Sequence, residues 1–333
     1  MITRFLPPLL VALVVTVPVP AHAEHHKTCQ GHPVTITASI QNGHGATIRG
    51  TSRSDVIAGT ALEDLIYGRG GHDIICGKRA NDTIIGGDGS DDIHGNPGID
   101  EIRGGMGDDA IDAGCGDCFD PGGEHQHLFG GPGDDYIVGS DEMETISGGR
   151  GKDHIEGRGS HFTDLEGPDR LSGNAGNDTI IAGARDSAPD DNGGVSALAL
   201  GGPGADELRD ADGDSALDGG PGDDVLIGEK ACCTMTWFAT SAAGVVVDLA
   251  AGTATGDGTD TLDGVVSVMG SPFDDTIVGD ELGNRIDGSA GNDSVSGAAG
   301  DDILDGGDGN DSIDGGDGTD TCFNGETITN CEN

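Results

Sequence analysis

Aromatic side chains are scarce in this chain: one Trp, two Tyr and seven Phe, or 3% of 333 residues. Basic residues are scarce too, with 16 Lys and Arg against 60 Asp and Glu and a net charge of −44. Few aromatics with a large net charge exclude an ordinary hydrophobic core and read as a chain that stays disordered until an ion binds. The missing positive charge excludes nucleic acid as a direct partner, since phosphates would be repelled. Beyond residue 23 no apolar run is long enough to span a bilayer. G-x-S-x-G, P-loop, dinucleotide-binding and H-E-x-x-H motifs are also missing, and with them the catalysis each supports. The arginines are scattered (Arg69, Arg103, Arg150, Arg158, Arg170, Arg209), so no mixed basic and acidic groove is indicated.

Glycine is abundant, at 63 residues, and it is periodic. From Gly50 to Asp112 a nine-residue unit repeats without a slip. Glycine opens each unit, aspartate takes the sixth place and isoleucine the eighth, as in Gly86, Asp91 and Ile93. A fixed short period means a solenoid of stacked units. Gly86–Asp91 reads as a tight turn and Asp92–His94 as a short strand with only its central side chain inward. One inward aliphatic per unit is too little to offset the ordering of nine backbones, and stacked turns would crowd carboxylates together. A hard divalent cation answers both problems. Ca²⁺ takes six to eight oxygens, and an Asp/Gly turn offers carboxylates and main-chain carbonyls.

The units Gly86–His94, Gly104–Asp112, Gly130–Val138, Gly148–Glu156, Gly219–Ile227 and Gly306–Asp314 match G-G-x-G-x-D-x-U-x in full. The chain thereby resembles the RTX, or hemolysin-type, calcium-binding repeat proteins. The resemblance implies an all-β fold, a parallel β-roll or β-helix solenoid in which two units make one coil. Aspartates two units apart would then share an ion. The expected ligands are Asp55, Asp64, Asp73, Asp82, Asp91, Asp100, Asp109, Asp135, Asp153, Asp206, Asp224, Asp275, Asp293, Asp302, Asp311 and Asp320. Glu144, Ser215 and Asn284 replace the aspartate, so weak or absent binding is expected there.

Residues 1–23 read as a secretory signal: Arg4, an apolar run at Leu9–Val17 and a small-x-small site at Ala21-His22-Ala23. Cleavage there would expose Glu24-His25-His26, whose amine, amides and imidazole could hold Cu²⁺ or Ni²⁺, although a frayed terminus is the stronger reading. Eight cysteines suit an oxidising, extracellular destination. Cys322 and Cys331 fall at the eighth place of consecutive units and are expected to staple the end of the roll. Cys29 and Cys76 form a second expected pair, while the connectivity of Cys115, Cys118, Cys232 and Cys233 stays open. Cys115-x-x-Cys118 with His125-x-His127 could bind zinc, but a disulfide or plain loop is favoured.

The organisation expected along the chain is a signal (1–23), a cap (24–49), a first array (50–112), a Cys/His insertion (113–129), an interrupted second array (130–228), a strand-rich spacer (229–269), a third array (270–323) and a disulfide cap (324–333). In the spacer, Val245–Leu249 and Val265–Val268 read as strands and Gly256–Asp260 as a turn. The leading functional expectation is a secreted, non-enzymatic calcium-binding protein with a structural, adhesive or surface role and an extracellular partner that the residues do not name. The alternatives are a secreted β-helix enzyme acting on polysaccharide, of lyase or epimerase type, and a toxin related to hemolysins.

Overall fold

A computed structural model describes residues 28–38, 44–114, 125–140, 143–158, 168–183, 197–211, 213–228 and 234–332. Among the described residues every regular element is a strand. Most strands span three residues, because each unit gives its remaining residues to the turn.

The strands form two long ladders, and successive units alternate between them. Val56–Ala58 and Ile74–Cys76 pair in parallel, while Leu65–Gly70, which lies between them in the chain, pairs with Thr47–Arg49 and Thr83–Asp88 in the other ladder. Two units therefore make one coil. The first ladder has fourteen strands, from Thr47–Arg49 to Thr321–Phe323. The second runs in one line from Ile36–Thr37, which pairs with Val56–Ala58, to Thr327–Thr329, which pairs with Ser312–Asp314.

The eighth-place side chains stack in register as Ile57, Ile75, Ile93, Ile111, Ile137 and Ile155 on one side. On the other they run Ile48, Ile66, Ile84, Ile102, Leu128 and Ile146. All are buried and belong to one core. The core is two aliphatic columns facing each other, which explains why aromatics can be so few.

Interruptions in the sequence leave the stack intact. Ile111 pairs with Ile137 across the first insertion and Ile155 with Ile180 across the next. Residues 246–263 depart from parallel stacking. Val246–Asp248, Thr253–Thr255 and Thr259–Asp263 form an antiparallel meander between Val225–Gly228 and Thr276–Val278. Of the segment Gly256–Asp260, read as a turn from sequence, residues 256–258 make the turn between Thr253–Thr255 and Thr259–Asp263, and Thr259 and Asp260 already belong to the second strand.

Both expected disulfides are present. Cys29 joins Cys76 with Cα atoms 5.7 Å apart and ties the Thr28–Cys29/His32–Pro33 hairpin to the first coils. Cys322 joins Cys331 at 6.1 Å, inside the usual range for a bridge. The register of that end is corrected. Ile328, not Cys331, pairs with Ile313, so the last half-coil is three residues shorter than a full repeat. Cys331 packs against the core just beyond the strand. Cys115, Cys118, Cys232 and Cys233, the expected signal at 1–23 and Glu24-His25-His26 lie outside the described residues.

Candidate metal centres in the turn columns

Each sixth-place aspartate sits where its turn enters a strand, with its side chain folded into the turn. Its Oδ1 accepts the main-chain N–H of the corresponding residue one coil earlier. Asp55 donates to Asp73, Asp73 to Asp91, and Asp91 to Asp109, each at 2.8 Å. The ladder continues through Asp135, Asp153, Asp178, Asp206 and Asp224 to Asp260, with no bond longer than 3.1 Å. Along the opposite edge, Asp64 donates to Asp82 and Asp82 to Asp100. After the meander one edge runs Asp275, Asp293, Asp311 and the other Asn284, Asp302, Asp320. The expected aspartates are thus brought into two columns. They are linked carboxylate to N–H, rather than carboxylate to carboxylate.

The second oxygen is the informative one. Oδ2 of Asp73, Asp82, Asp91, Asp100, Asp109, Asp135, Asp153, Asp206, Asp224, Asp293, Asp302, Asp311 and Asp320 is buried and has no hydrogen-bond partner. A buried carboxylate oxygen without a donor is costly, so each marks a place where something electropositive belongs. Asp55, Asp64 and Asp275 differ, because donors inside their own turns reach the same oxygen.

The surroundings suit a cation. A Cβ placed on Gly86 would lie 2.4 Å from Asp91 Oδ2 and 2.6 Å from the carbonyl oxygen of Gly104 in the next coil. The same pair of oxygens converges on Gly68, Gly77, Gly130, Gly201 and Gly288. Only glycine fits the first place, and the cradle it leaves is lined with oxygen. Gly87 and Gly89, at φ of 122° and 131°, approach the carbonyls of Arg69 and Gly71 in the previous coil. Among the described residues no three His, Cys, Asp or Glu side chains gather as a metal site. The donors are instead one carboxylate with main-chain carbonyls, an all-oxygen set that fits a hard ion such as Ca²⁺.

Burial has the matching electrostatic effect. Desolvation raises Asp73 to about 6, Asp82 to about 8 and Asp100 to about 7, against an accepted N–H that lowers each. Neighbouring carboxylates in the column raise Asp73 and Asp82 further. A dication in the cradle would reverse both raising causes.

Five column members were missed from sequence, among them Asp169, which accepts from Glu144 on the edge of Asp64 and Asp82. Asp178 and Asp260 continue the long ladder, at offsets of 25 and 36 from their donors Asp153 and Asp224. Glu326 and Glu332 close the two columns by accepting from Asp311 and Asp320. Gly173–Asp178 reads as a turn of the repeat, so its spacing of first and sixth residues was available; a strict 18-residue pairing hid it. Of the three replaced positions, Asn284 stays in the ladder through its main-chain N–H, which donates to Asp302, while its amide oxygen accepts from Asp280 in its own turn, and Glu144 donates to Asp169. Ser215 donates to Asp210 and brings no carboxylate of its own.

The RTX calcium-binding nonapeptide repeat (4 copies) matches this chain at residues 49–84, 85–117, 122–155, 138–161, 163–184, 200–230, 269–304 and 297–326, more than half of its length. The chain belongs to the RTX calcium-binding repeat family. No curated protein matches it. The family match covers the coils that carry the aspartates expected from sequence and passes over the meander, where Asp260 continues the long column. No helix among the described residues is long and apolar enough to cross a membrane.

Proposed function

We propose that this RTX protein is secreted through residues 1–23 and assembles its roll on calcium outside the cell, where it serves a structural or adhesive role. The sixth-place aspartates named from the sequence, apart from the donor-capped Asp55, Asp64 and Asp275, together with Asp178 and Asp260, supply the carboxylate ligands. The arrays at 50–112, 130–228 and 270–323 hold the ions, and 24–49 and 324–333 close the ends. The observation that carries this reading is the column of buried Oδ2 atoms without donors. Calcium supplies what the coil lacks: charge to neutralise the carboxylates and coordination to join successive turns. Affinity is expected on the order of 10⁻⁴–10⁻³ M, the range of extracellular modules. Such a chain would remain unfolded where calcium is scarce and fold after export.

The test is circular dichroism of the purified chain during a calcium titration. Strand signal should appear as calcium is added and disappear with chelator. A spectrum indifferent to both would overturn the reading. Export is checked separately by sequencing the amino terminus of the secreted protein, which should begin at Glu24.

A further inference from the structure

The turns are of two kinds, and the residues at the second and fourth places together separate them. Wherever a sixth-place aspartate keeps an unpartnered Oδ2 and its second-place residue is described, that residue is left-handed, with φ from 68° at Asn96 to 129° at Gly105. In this conformation the second-place N–H turns away from the carboxylate. Gly202 donates to the carbonyl of Gly219, and Lys78 to that of Gly95. The carboxylate oxygen is left open.

The other kind has Thr51, Thr60, Ser140, Ser271 or Asp280 at the second place, none of them left-handed. Here the second-place N–H turns inward and caps the sixth-place side chain. Thr51 donates to Asp55 Oδ2 at 2.7 Å, Ser271 to Asp275 Oδ2 at 2.7 Å and Asp280 to Asn284 Oδ1 at 2.8 Å. The hydroxyls of Thr51 and Ser271 add second bonds to the same carboxylates. The second-place side chain also accepts the N–H of the fourth-place residue, from Arg53, Leu62, Phe273 and Leu282. That bond holds the turn without the fourth-place glycine, and all four of these residues stand where other units have glycine or alanine.

We infer that the second and fourth places together decide whether a turn takes calcium: Ser, Thr or Asp at the second place without glycine at the fourth closes the turn on itself and excludes the ion, whereas Ser289, followed by Gly291, leaves the turn of Asp293 open. The inference rests on the calcium reading above and deepens it. The closed turns already contain the rest of the cradle. A Cβ on Gly270 would meet Asp275 Oδ2 at 2.4 Å and the Gly288 carbonyl at 2.7 Å, much as in the open turns. What differs is that the second-place N–H occupies the oxygen that calcium would use, while the hydroxyl donates to the same carboxylate. Placement gives the device a purpose. Thr51 and Thr60 lie in the first two units of the opening array, and Ser271 and Asp280 in the first two after the meander. The first and third arrays thus each begin on a pair that needs no ion, a preformed edge on which later coils can stack.

The experiment counts calcium bound to the full chain by equilibrium dialysis. Ser271→Gly with Phe273→Gly should open one turn and add one ion, and Thr60→Gly with Leu62→Gly should do the same in the first array. Phe273 is exposed, so its loss leaves the core untouched. Thr60→Ser keeps both donors and should leave the count unchanged. An unchanged count in both double variants, with the wild type binding calcium, overturns the inference and spares the calcium reading. A wild type that binds no calcium overturns the reading itself. Failure of the double variants to recover wild-type strand signal in saturating calcium also overturns the inference, because an ion-filled turn should support the coil as well as a closed one.

Discussion

Asp91 shows how one side chain serves two neighbours. Its Oδ1 accepts from Asp73 N–H at 2.8 Å, while its Oδ2 faces the cradle over Gly86. The two roles can be separated by substitution. Asp91→Asn keeps an acceptor for Asp73 but loses the charge, so it should lower the number of bound calcium ions without unstacking the coil. Asp91→Ala also strands the Asp73 N–H, at a further cost of about 1–3 kcal/mol. Asp55→Asn should do little to the ion count, because Thr51 already closes that turn with its N–H and hydroxyl. Calorimetric titration of the three variants checks the order. Equal calcium loss from Asp91→Asn and Asp55→Asn would contradict the assignment of Oδ2 as the metal-facing oxygen.

At the scale of the element, the unit of construction is the coil, and the sequence shows it only where coil length is constant. From Gly50 to Asp112 every coil has the same length, so the isoleucine columns, the parallel pairing and the aspartate positions could be read directly. Asp178 and Asp260 escaped because loops lengthen the coils that precede them. Their side chains stack by coil, not by residue count. Ile328 escaped for the opposite reason, since the final half-coil is short and its register is set by pairing with Ser312–Asp314. The closed turns were invisible as a class because Thr or Ser in place of glycine reads as a weakened repeat until its N–H is seen on the carboxylate. The Cys322–Cys331 bridge belongs to this scale as well. It holds the half-coil in which Glu332 accepts from Asp320 and Glu326 from Asp311. Replacing both cysteines by serine should cost roughly 2–3 kcal/mol in the chain-entropy model. Hydrogen exchange should show the loss as fraying confined to residues 312–332. Fraying that spreads to the first array would show that the coils unfold as one unit rather than from the end.

Across the whole molecule the two edges of the roll are unequal. One edge carries an unbroken carboxylate ladder from Asp55 to Asp260, whereas uncharged Ala197 and Ser215 stand on the other, following Asp169 in register. The long ladder concentrates buried carboxyl groups, and together with Asp82 and Asp100 on the other edge they determine how the ion-free chain responds to pH. Burial raises Asp82 to about 8, Asp100, Asp109, Asp153 and Asp224 to about 7, and Asp73, Asp135, Asp206 and Asp260 to about 6. In the unfolded chain these groups titrate near 3.8. A carboxyl whose folded pKa lies above its unfolded value favours the fold in its protonated form. That contribution is complete below about pH 4 and is lost as pH rises through about 6 to 8. In chelator, therefore, acidification from pH 8 toward pH 4 should increase strand content, with protons standing in for calcium. In the acid-folded chain, calcium binding should release protons, since the ion displaces them from the same oxygens. Circular dichroism in chelator tests the first expectation, and titration calorimetry in buffers of different ionisation enthalpy tests the second. Strand content that fell on acidification, together with a binding enthalpy independent of buffer, would mean that the column carboxylates are already ionised in the ion-free chain and that their burial arises only after calcium has bound.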